Sequence, residues 1–214
     1  YEDLGVYDAR GYRMGRYFLK RIDISDPDSP RSRSRVSIPG VYFGKSADGR
    51  VIYTVEVTWD ERLGPSTRIH ELELNGTTAT LVRTHTFPGY PEGQVINDGY
   101  LYLLFWRGWY DYGYQNQAIL ETVRLSDLTT TNTQNIGASW ASLRGGSNGK
   151  LFVQGYWAES SLLTYDLTNP ANPAYQSTTR LDGWITDIFV DGQYAYLVSG
   201  QYGAPRVDLN PGSN

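Results

Sequence analysis

The stretch DGQYAYLVSG, residues 191–200, joins a tight-turn dipeptide to a run of alternating apolar residues. Closely related stretches occur upstream as DGRVIYTVEV at 48–57 and DGYLYLLFW at 98–106, and Asn148-Gly149 is a fourth turn of this kind. Asp-Gly or Asn-Gly between two alternating runs is the strongest short-range signal for a β-hairpin. The chain is therefore predicted to repeat one hairpin-based unit.

A second series of turns lies between these hairpins. Its members are RIDISDPDSP from Arg21, ELELNGTT from Glu71, VRLSDLTT from Val123, TYDLTNPANP from Thr164 and RVDLNPGSN from Arg206. The turn dipeptides, and the equivalent positions of the second series (Asp23, Glu73, Arg124, Asp166 and Asp208), recur at intervals of 42 to 51 residues. Four antiparallel strands in a repeat of this length are typical of a β-propeller blade. Segments with helical periodicity and caps are missing, which argues against an α-solenoid or a Rossmann fold.

The repeat divides the chain into segments of one β-propeller region, residues 1–214. We expect three complete blades, at 41–89, 90–137 and 138–183, and two partial blades, at 1–40 and 184–214. An open end exposes the apolar face of a blade, so part of a larger propeller is favoured over a four-bladed ring closed by its own termini. The opening YEDLGVYDAR has neither a Met nor a signal peptide, which favours a processed or truncated piece.

Several segments carry a family resemblance. WITDIFVDGQYAYLVSGQYGAPRVDLNP at 184–211, YFLKRIDISDPDSPRSRSRVSIPG at 17–40 and LLTYDLTNPANP at 162–173 resemble the LVIVD-repeat family and related secreted bacterial β-propeller proteins. The resemblance covers nearly the whole chain, although the middle turns ELELNGTT and VRLSDLTT lack its Pro. It implies a propeller and an extracellular or cell-envelope location, and it brings no catalytic residues.

Composition limits the classes of partner. The net charge of −4 and the pI near 5.2 argue against nucleic acid or an anionic membrane. The chain has no Cys, which excludes disulfides and thiolate metal sites. It also has no apolar run of about 18 residues, so no membrane-spanning helix is expected.

Aromatic residues concentrate in the loops that join the second strand of each unit to the third. In a propeller these loops lie on one face, here named the loop face: 58–66, 106–117, 156–160 and 200–205. The longest and most aromatic of them, 106–117, is the strongest candidate for function. The candidate ligand-binding residues are Trp59, Asp60, Trp106, Arg107, Trp109, Tyr110, Asp111, Tyr112, Tyr114, Trp157 and Tyr202. Trp140 and Trp184, at the blade junctions, are instead expected to pack between blades.

Residues for catalysis or metal binding are sparse. The two histidines, His70 and His85, are expected on the third and fourth strands of one blade, as solvated strand-edge residues. DISDPDSP (23–30) lacks the Gly and the terminal Glu of a calcium loop, and RGGSNGKL (144–151) lacks the pattern of a phosphate loop. We therefore expect no catalytic residue, no metal and no cofactor.

These observations favour a non-enzymatic extracellular or cell-surface module that binds a protein or a glycan on its aromatic loop face. The remainder of a larger propeller chain is a further expected partner. One alternative is a polysaccharide hydrolase or lyase that uses loop-face carboxylates, chosen from Asp60, Glu61, Glu92, Asp111 and Glu159. Another is a purely structural segment whose site lies elsewhere.

Overall fold

The computed structural model describes residues 2–7, 13–46, 48–60, 64–107, 117–138, 140–156, 160–199 and 203–209. These residues form β-strands and turns, with no helix among them. The chain divides into two compact units, residues 1–88 and 89–214.

The first unit contains two sheets and a short hairpin. A three-stranded sheet has the order β1 (Glu2–Tyr7), β2 (Arg13–Leu19) and β5 (Val36–Ile38). The hairpin pairs β3 (Ile22–Asp23) with β4 (Arg31–Ser32). A four-stranded antiparallel sheet follows, formed in chain order by β6 (Val41–Lys45), β7 (Val51–Asp60), β8 (Gly64–Asn75) and β9 (Thr78–Pro88). Ile38 of the first sheet packs with Ile52 and Leu72 of the second.

The second unit contains three sheets, each with its strands paired in chain order. The first is β10 (Tyr90–Asn97), β11 (Tyr100–Arg107), β12 (Gln117–Arg124) and β13 (Thr129–Asn135). The second is β14 (Trp140–Ser147), β15 (Lys150–Tyr156), β16 (Ser160–Asp166) and β17 (Ala174–Arg180). The third is β18 (Asp187–Asp191), β19 (Tyr194–Val198) and β20 (Arg206–Asp208). The turns Asp98-Gly99 and Asn148-Gly149 close the expected hairpins, between Asn97 and Tyr100 and between Ser147 and Lys150.

Successive sheets of the second unit pack face to face through the alternating residues of their second strands. Tyr102 and Leu104 on β11 pack with Leu151 and Val153 on β15. The opposite face of β15 presents Phe152, which packs with Leu162 of its own sheet and with Ala195 and Leu197 on β19. A strand buried on both faces loses the polar alternation of an exposed sheet, which explains the continuous apolar run at 151–153.

The first strands of neighbouring sheets lie side by side and run parallel. A Cβ added to Gly93 on β10 would meet Leu143 on β14 at 2.8 Å, and one added to Gly146 would meet Val95 at 3.0 Å. The paired positions therefore advance in the same direction along both strands. Four-stranded antiparallel sheets stacked with their first strands parallel have the arrangement of propeller blades. The predicted fold class is confirmed; the division into one region of three complete and two partial blades stays a prediction.

The third sheet of the second unit leaves one face exposed. Tyr196 on β19 occupies the register position that Phe152 occupies on β15, yet it is 36% exposed, and Phe189 on β18, its cross-strand partner, is 59% exposed. The corresponding positions in the two preceding sheets, Tyr102 and Phe152, are fully buried. Similar side chains therefore face different surroundings along the stack.

Candidate functional site

The candidate residues predicted from the sequence lie at or beyond the ends of the second strands. Trp59 and Asp60 end β7, and Trp106 and Arg107 end β11; the structure describes their backbone but not their side chains. Seven more lie outside the described residues: Trp109, Tyr110, Asp111, Tyr112, Tyr114, Trp157 and Tyr202. The loop-face site therefore stays a prediction.

In the second unit, the ends of two second strands are described well enough to relate their loops. Arg107 pairs with Gln117, and Tyr156 pairs with Ser160, so each pair opens a connection to the third strand. Because the first strands are parallel and each second strand runs antiparallel to its first, both connections leave from the same end of this unit.

Near this end the described residues form a polar group, here named the Arg144 cluster. Its members are Glu92 on β10, Arg144 on β14, Gln154 on β15, Ser160 on β16 and Trp184, which precedes β18. They come from two sheets of the second unit and from the segment that precedes the third. A cluster of this kind depends on how neighbouring sheets stack, because Glu92, Arg144 and Trp184 belong to different layers.

Irregular strand pairing positions two members of the cluster. The register shifts between Leu143 and Gly145, so Arg144 is a bulge residue, and it shifts again between Pro91 and Gln94, around Glu92 and Gly93. A β-bulge inserts an unpaired residue and redirects side chains, and bulges are common beside functional sites.

Gln154 connects the cluster through three hydrogen bonds. Its side chain is fully buried. Its Oε1 accepts from Arg144 Nε at 3.1 Å and from the backbone N–H of Ile185 at 3.3 Å, while its Nε2 donates to Ser160 Oγ at 2.9 Å. A buried amide is stable only when its polar atoms are bonded, so this network holds Arg144 in one orientation.

Arg144 is half-buried and stacks on an aromatic ring. Its Cζ lies 4.9 Å from the ring centroid of Trp184, within the range of a cation–π interaction. Burial lowers the pKa of Arg144, and the negative charges of Asp187 and Glu92 act in the opposite direction. No carboxylate in the described part of the chain lies within 4.0 Å of the guanidinium.

Glu92 is the acidic member of the cluster. Burial raises the pKa of its carboxyl group, and the positive charge of Arg144 partly offsets that rise. Ser142 Oγ donates to the backbone carbonyl of Glu92 at 3.2 Å, which ties β14 to β10 at this point. The Glu92 carboxylate itself has no hydrogen-bond partner among the described residues.

Local sequence patterns do not predict this cluster. Arg144 lies in a segment expected to form a hairpin, and Trp184 is expected to pack between blades; its side chain contacts Arg144 of the preceding sheet and is 41% exposed. One local signal was present: a glycine follows both Glu92 and Arg144 inside strand-like sequence. Glycine within a strand often marks a bulge or a close backbone approach.

Both histidines lie on strands of one β-sheet. His70 lies on β8 and His85 on β9, the third and fourth strands of their sheet. The expectation of a solvated edge is wrong for His70, which is buried; its Nδ1 lies 2.9 Å from Thr84 Oγ1 and its Nε2 lies 3.4 Å from Glu56 Oε2. Cross-strand pairing places these polar groups together.

The aspartates of DISDPDSP stabilise their own turn. Asp23 accepts from the backbone N–H of Ser25 at 3.1 Å and pairs with Arg33 at 2.5 Å, and these bonds lower its pKa to about 2. A cavity of about 520 Å³ adjoins this turn, and Arg21, which also lines it, donates to the backbone carbonyl of Gly76. The charged side chains that line this cavity are therefore already paired.

Two kinds of feature are absent from the described part of the chain. No group of three or more His, Asp or Glu residues there is arranged to hold a metal ion. None of its segments is a helix with the length and apolarity needed to cross a membrane.

Comparison with known proteins gives structural similarity only. No protein-family model and no curated protein matches the chain. Among solved structures, BamB from Moraxella catarrhalis is 15% identical over 83% of this chain and 52% of its own, with a TM-score of 0.41. TolB from Acinetobacter baumannii is 14% identical over 92% and 47%, with a TM-score of 0.48. A tryptophan-to-alanine mutant of the Synechocystis apocarotenoid oxygenase is 14% identical over 78% and 46%, with a TM-score of 0.45.

The chain spans about half the length of each of these three structures. BamB and TolB are β-propeller-type proteins. The identities and TM-scores are low, and the blade architecture of this chain follows from its own strand pairing and sheet packing.

Proposed function

We propose that this protein is a β-propeller binding module that works through non-enzymatic contact with a protein or glycan partner at its loop face. The proposal includes membership of the LVIVD-repeat group, an extracellular or cell-envelope location and a place within a larger propeller chain. Propeller scaffolds host many unrelated functions, so the fold does not specify a function and the residues at one end of the second unit support this one.

The observation that carries the proposal is that Arg144 and Trp184 lie beside the strand ends from which two connections leave. These connections follow Arg107 and Tyr156, and the sequence of the first is rich in Trp and Tyr. Arg144 stacks on the indole of Trp184, which is exposed. Trp, Tyr and Arg are the residues most enriched at binding hot spots.

The proposal is tested by substituting the central aromatic residue of the long loop. Immobilised wild-type protein, Trp109→Ala and the control Tyr175→Ala are compared for capture of cell-envelope proteins and for binding to a glycan array. Tyr175 is an exposed aromatic on β17, the outer strand of its sheet. Loss of a hot-spot aromatic costs about 2 kcal/mol or more, so Trp109→Ala should weaken capture about 30-fold. Equal capture by all three proteins would contradict the proposal.

One observation favours the enzymatic alternative. The pKa of Glu92 is raised by burial, which is the condition that a general acid in glycoside cleavage requires. In that case Glu92→Gln abolishes turnover of a polysaccharide, whereas Trp109→Ala mainly raises KM. Release of reducing sugar from a polysaccharide panel by the wild type, and its loss in Glu92→Gln, would replace the binding module with this alternative.

A further inference from the structure

The guanidinium of Arg144 has donors that the described residues do not use. Arginine has five N–H donors, and among the described residues only Nε–H reaches an acceptor, Gln154 Oε1 at 3.1 Å. The terminal nitrogens have no ion-pair partner within 4.0 Å in the described part of the chain. Because the group is half-buried, it has lost hydration that a ligand can replace.

Glu92 provides hydrogen-bond acceptors that the described residues also leave unused. Its carboxylate is half-buried and has no hydrogen-bond partner among the described residues. Glu92 and Arg144 are close enough for each to affect the pKa of the other, yet they do not form an ion pair within 4.0 Å. A ligand that both donates and accepts hydrogen bonds can bridge such a pair.

The charges of the site limit the ligand class. Arg144 contributes one positive charge, while Glu92 and Asp187, which both interact with it electrostatically, contribute negative charge. A carboxylate or phosphate ligand would meet repulsion from these acidic groups, and a cation would meet Arg144. Neutral hydroxyl groups, which accept from a guanidinium and donate to a carboxylate, match the site without adding charge.

Trp184 adds an apolar surface at the same place. Its indole is 41% exposed, and its ring is held beside Arg144 with a Cζ-to-centroid distance of 4.9 Å. The C–H face of a pyranose ring is apolar, and an aromatic side chain buries such a face while leaving the hydroxyl groups to polar neighbours.

The hydrogen bonds behind the site prepare it for binding. Gln154 fixes Arg144 Nε and is itself fixed by Ser160 and the backbone of Ile185. A side chain that is already ordered loses less conformational freedom when a ligand binds. We propose that Arg144, Glu92 and Trp184 form a subsite for one neutral sugar unit of a glycan; this inference rests on the proposed function and specifies its ligand.

The test uses neutral oligosaccharides and two conservative variants. Gluco-, manno- and galacto-oligosaccharides are titrated against the full chain by saturation-transfer NMR, with oligogalacturonate as an acidic comparison. Arg144→Lys keeps the charge but loses the planar fork, and Glu92→Gln keeps the shape but loses the charge. Each should raise the Kd of a neutral oligosaccharide about tenfold or more, and Trp184→Ala should abolish binding.

A matched control separates the subsite from a general effect of arginine substitution. Arg206 also stacks on an aromatic ring, Tyr194, with its Cζ 4.3 Å from the centroid, but it lies exposed on β20. Arg206→Lys should therefore bind as the wild type does. Thermal melts of all variants identify any that fail to fold, and the two conservative variants remain informative if Trp184→Ala does.

Three results would overturn the inference: no neutral oligosaccharide binds, only oligogalacturonate binds, or Arg144→Lys and Glu92→Gln bind as tightly as Arg206→Lys. The proposed function fails independently. Partner capture that depends on Trp109 but not on Arg144 would leave the binding module in place and remove the subsite. Sugar binding that depends on Arg144 but not on Trp109 would keep the subsite and remove Trp109 from the proposed binding surface.

Discussion

Replacing Phe152 by alanine tests how the sheets of the second unit are stacked. The side chain is fully buried and belongs to the core between the β14–β17 and β18–β20 sheets, with Leu162, Ala195 and Leu197. Truncating a buried Phe to Ala typically costs about 3–5 kcal/mol, because transfer free energy is lost and a cavity remains. For a chain of this length, about 2–4 °C of Tm accompanies each kcal/mol, so we expect Tm to fall by about 6–20 °C.

Tyr196→Ala is the matched control. Tyr196 has the same register position in the following sheet, paired with Arg206 on β20 as Phe152 is paired with Thr164 on β16. It is 36% exposed, so its truncation should lower the free energy of unfolding by less than about 1 kcal/mol.

Urea unfolding followed by circular dichroism measures both variants, and an unchanged m-value shows that the difference is one of stability. A loss below about 1.5 kcal/mol for Phe152→Ala, or equal losses for the two variants, would refute the stacking of these two sheets.

Two further predictions concern glycine geometry and acid stability. Gly40 and Gly76 both have positive φ, at +66° and +61°, but an added Cβ would overlap the Val55 carbonyl oxygen at Gly40 and would meet nothing within 4 Å at Gly76. Urea unfolding should therefore show a loss of about 1–2 kcal/mol for Gly76→Ala and about 3 kcal/mol or more for Gly40→Ala, and equal losses would contradict this. Bonds from Lys150 and Thr168 lower the pKa of Asp166 to about 2 from 3.8, so its contribution to stability is present above pH 4 and is lost as pH falls through about 2. Asp166→Asn should make the decline in stability between pH 4 and pH 2 shallower by about 1 kcal/mol, because solvent still screens a pair that is only partly buried. An unchanged decline in an acid titration of unfolding would exclude this contribution.

The repeat was predictable because its signals are local. A turn such as Asp98-Gly99 needs only the backbone preferences of two residues, and the alternating runs beside it need only the pleat of a strand. These features predicted the four-stranded antiparallel sheets that the structure contains. The sequence also indicated aromatic loop segments, whose role as a binding site stays a prediction.

Other features were not predictable, because the same local sequence has different surroundings. Phe152 and Tyr196 both follow a turn on a second strand, but only Phe152 is covered by a following sheet in the described residues. His70 is buried although the alternation of its strand allowed either face. Burial depends on neighbours that are distant in sequence, and a single strand carries little information about them.

What the sequence determined by itself is therefore the architecture: turn dipeptides and period-two alternation act over a few residues and build one blade after another. Only the tertiary structure decided the Arg144 cluster. Glu92 and Arg144 lie on neighbouring sheets and Trp184 precedes a third, at intervals of roughly 40 to 50 residues in the chain. They lie near one another because the first strands stack in parallel and bulges occur at Glu92 and Arg144. Such a site depends on non-local packing, which short-range sequence patterns do not encode.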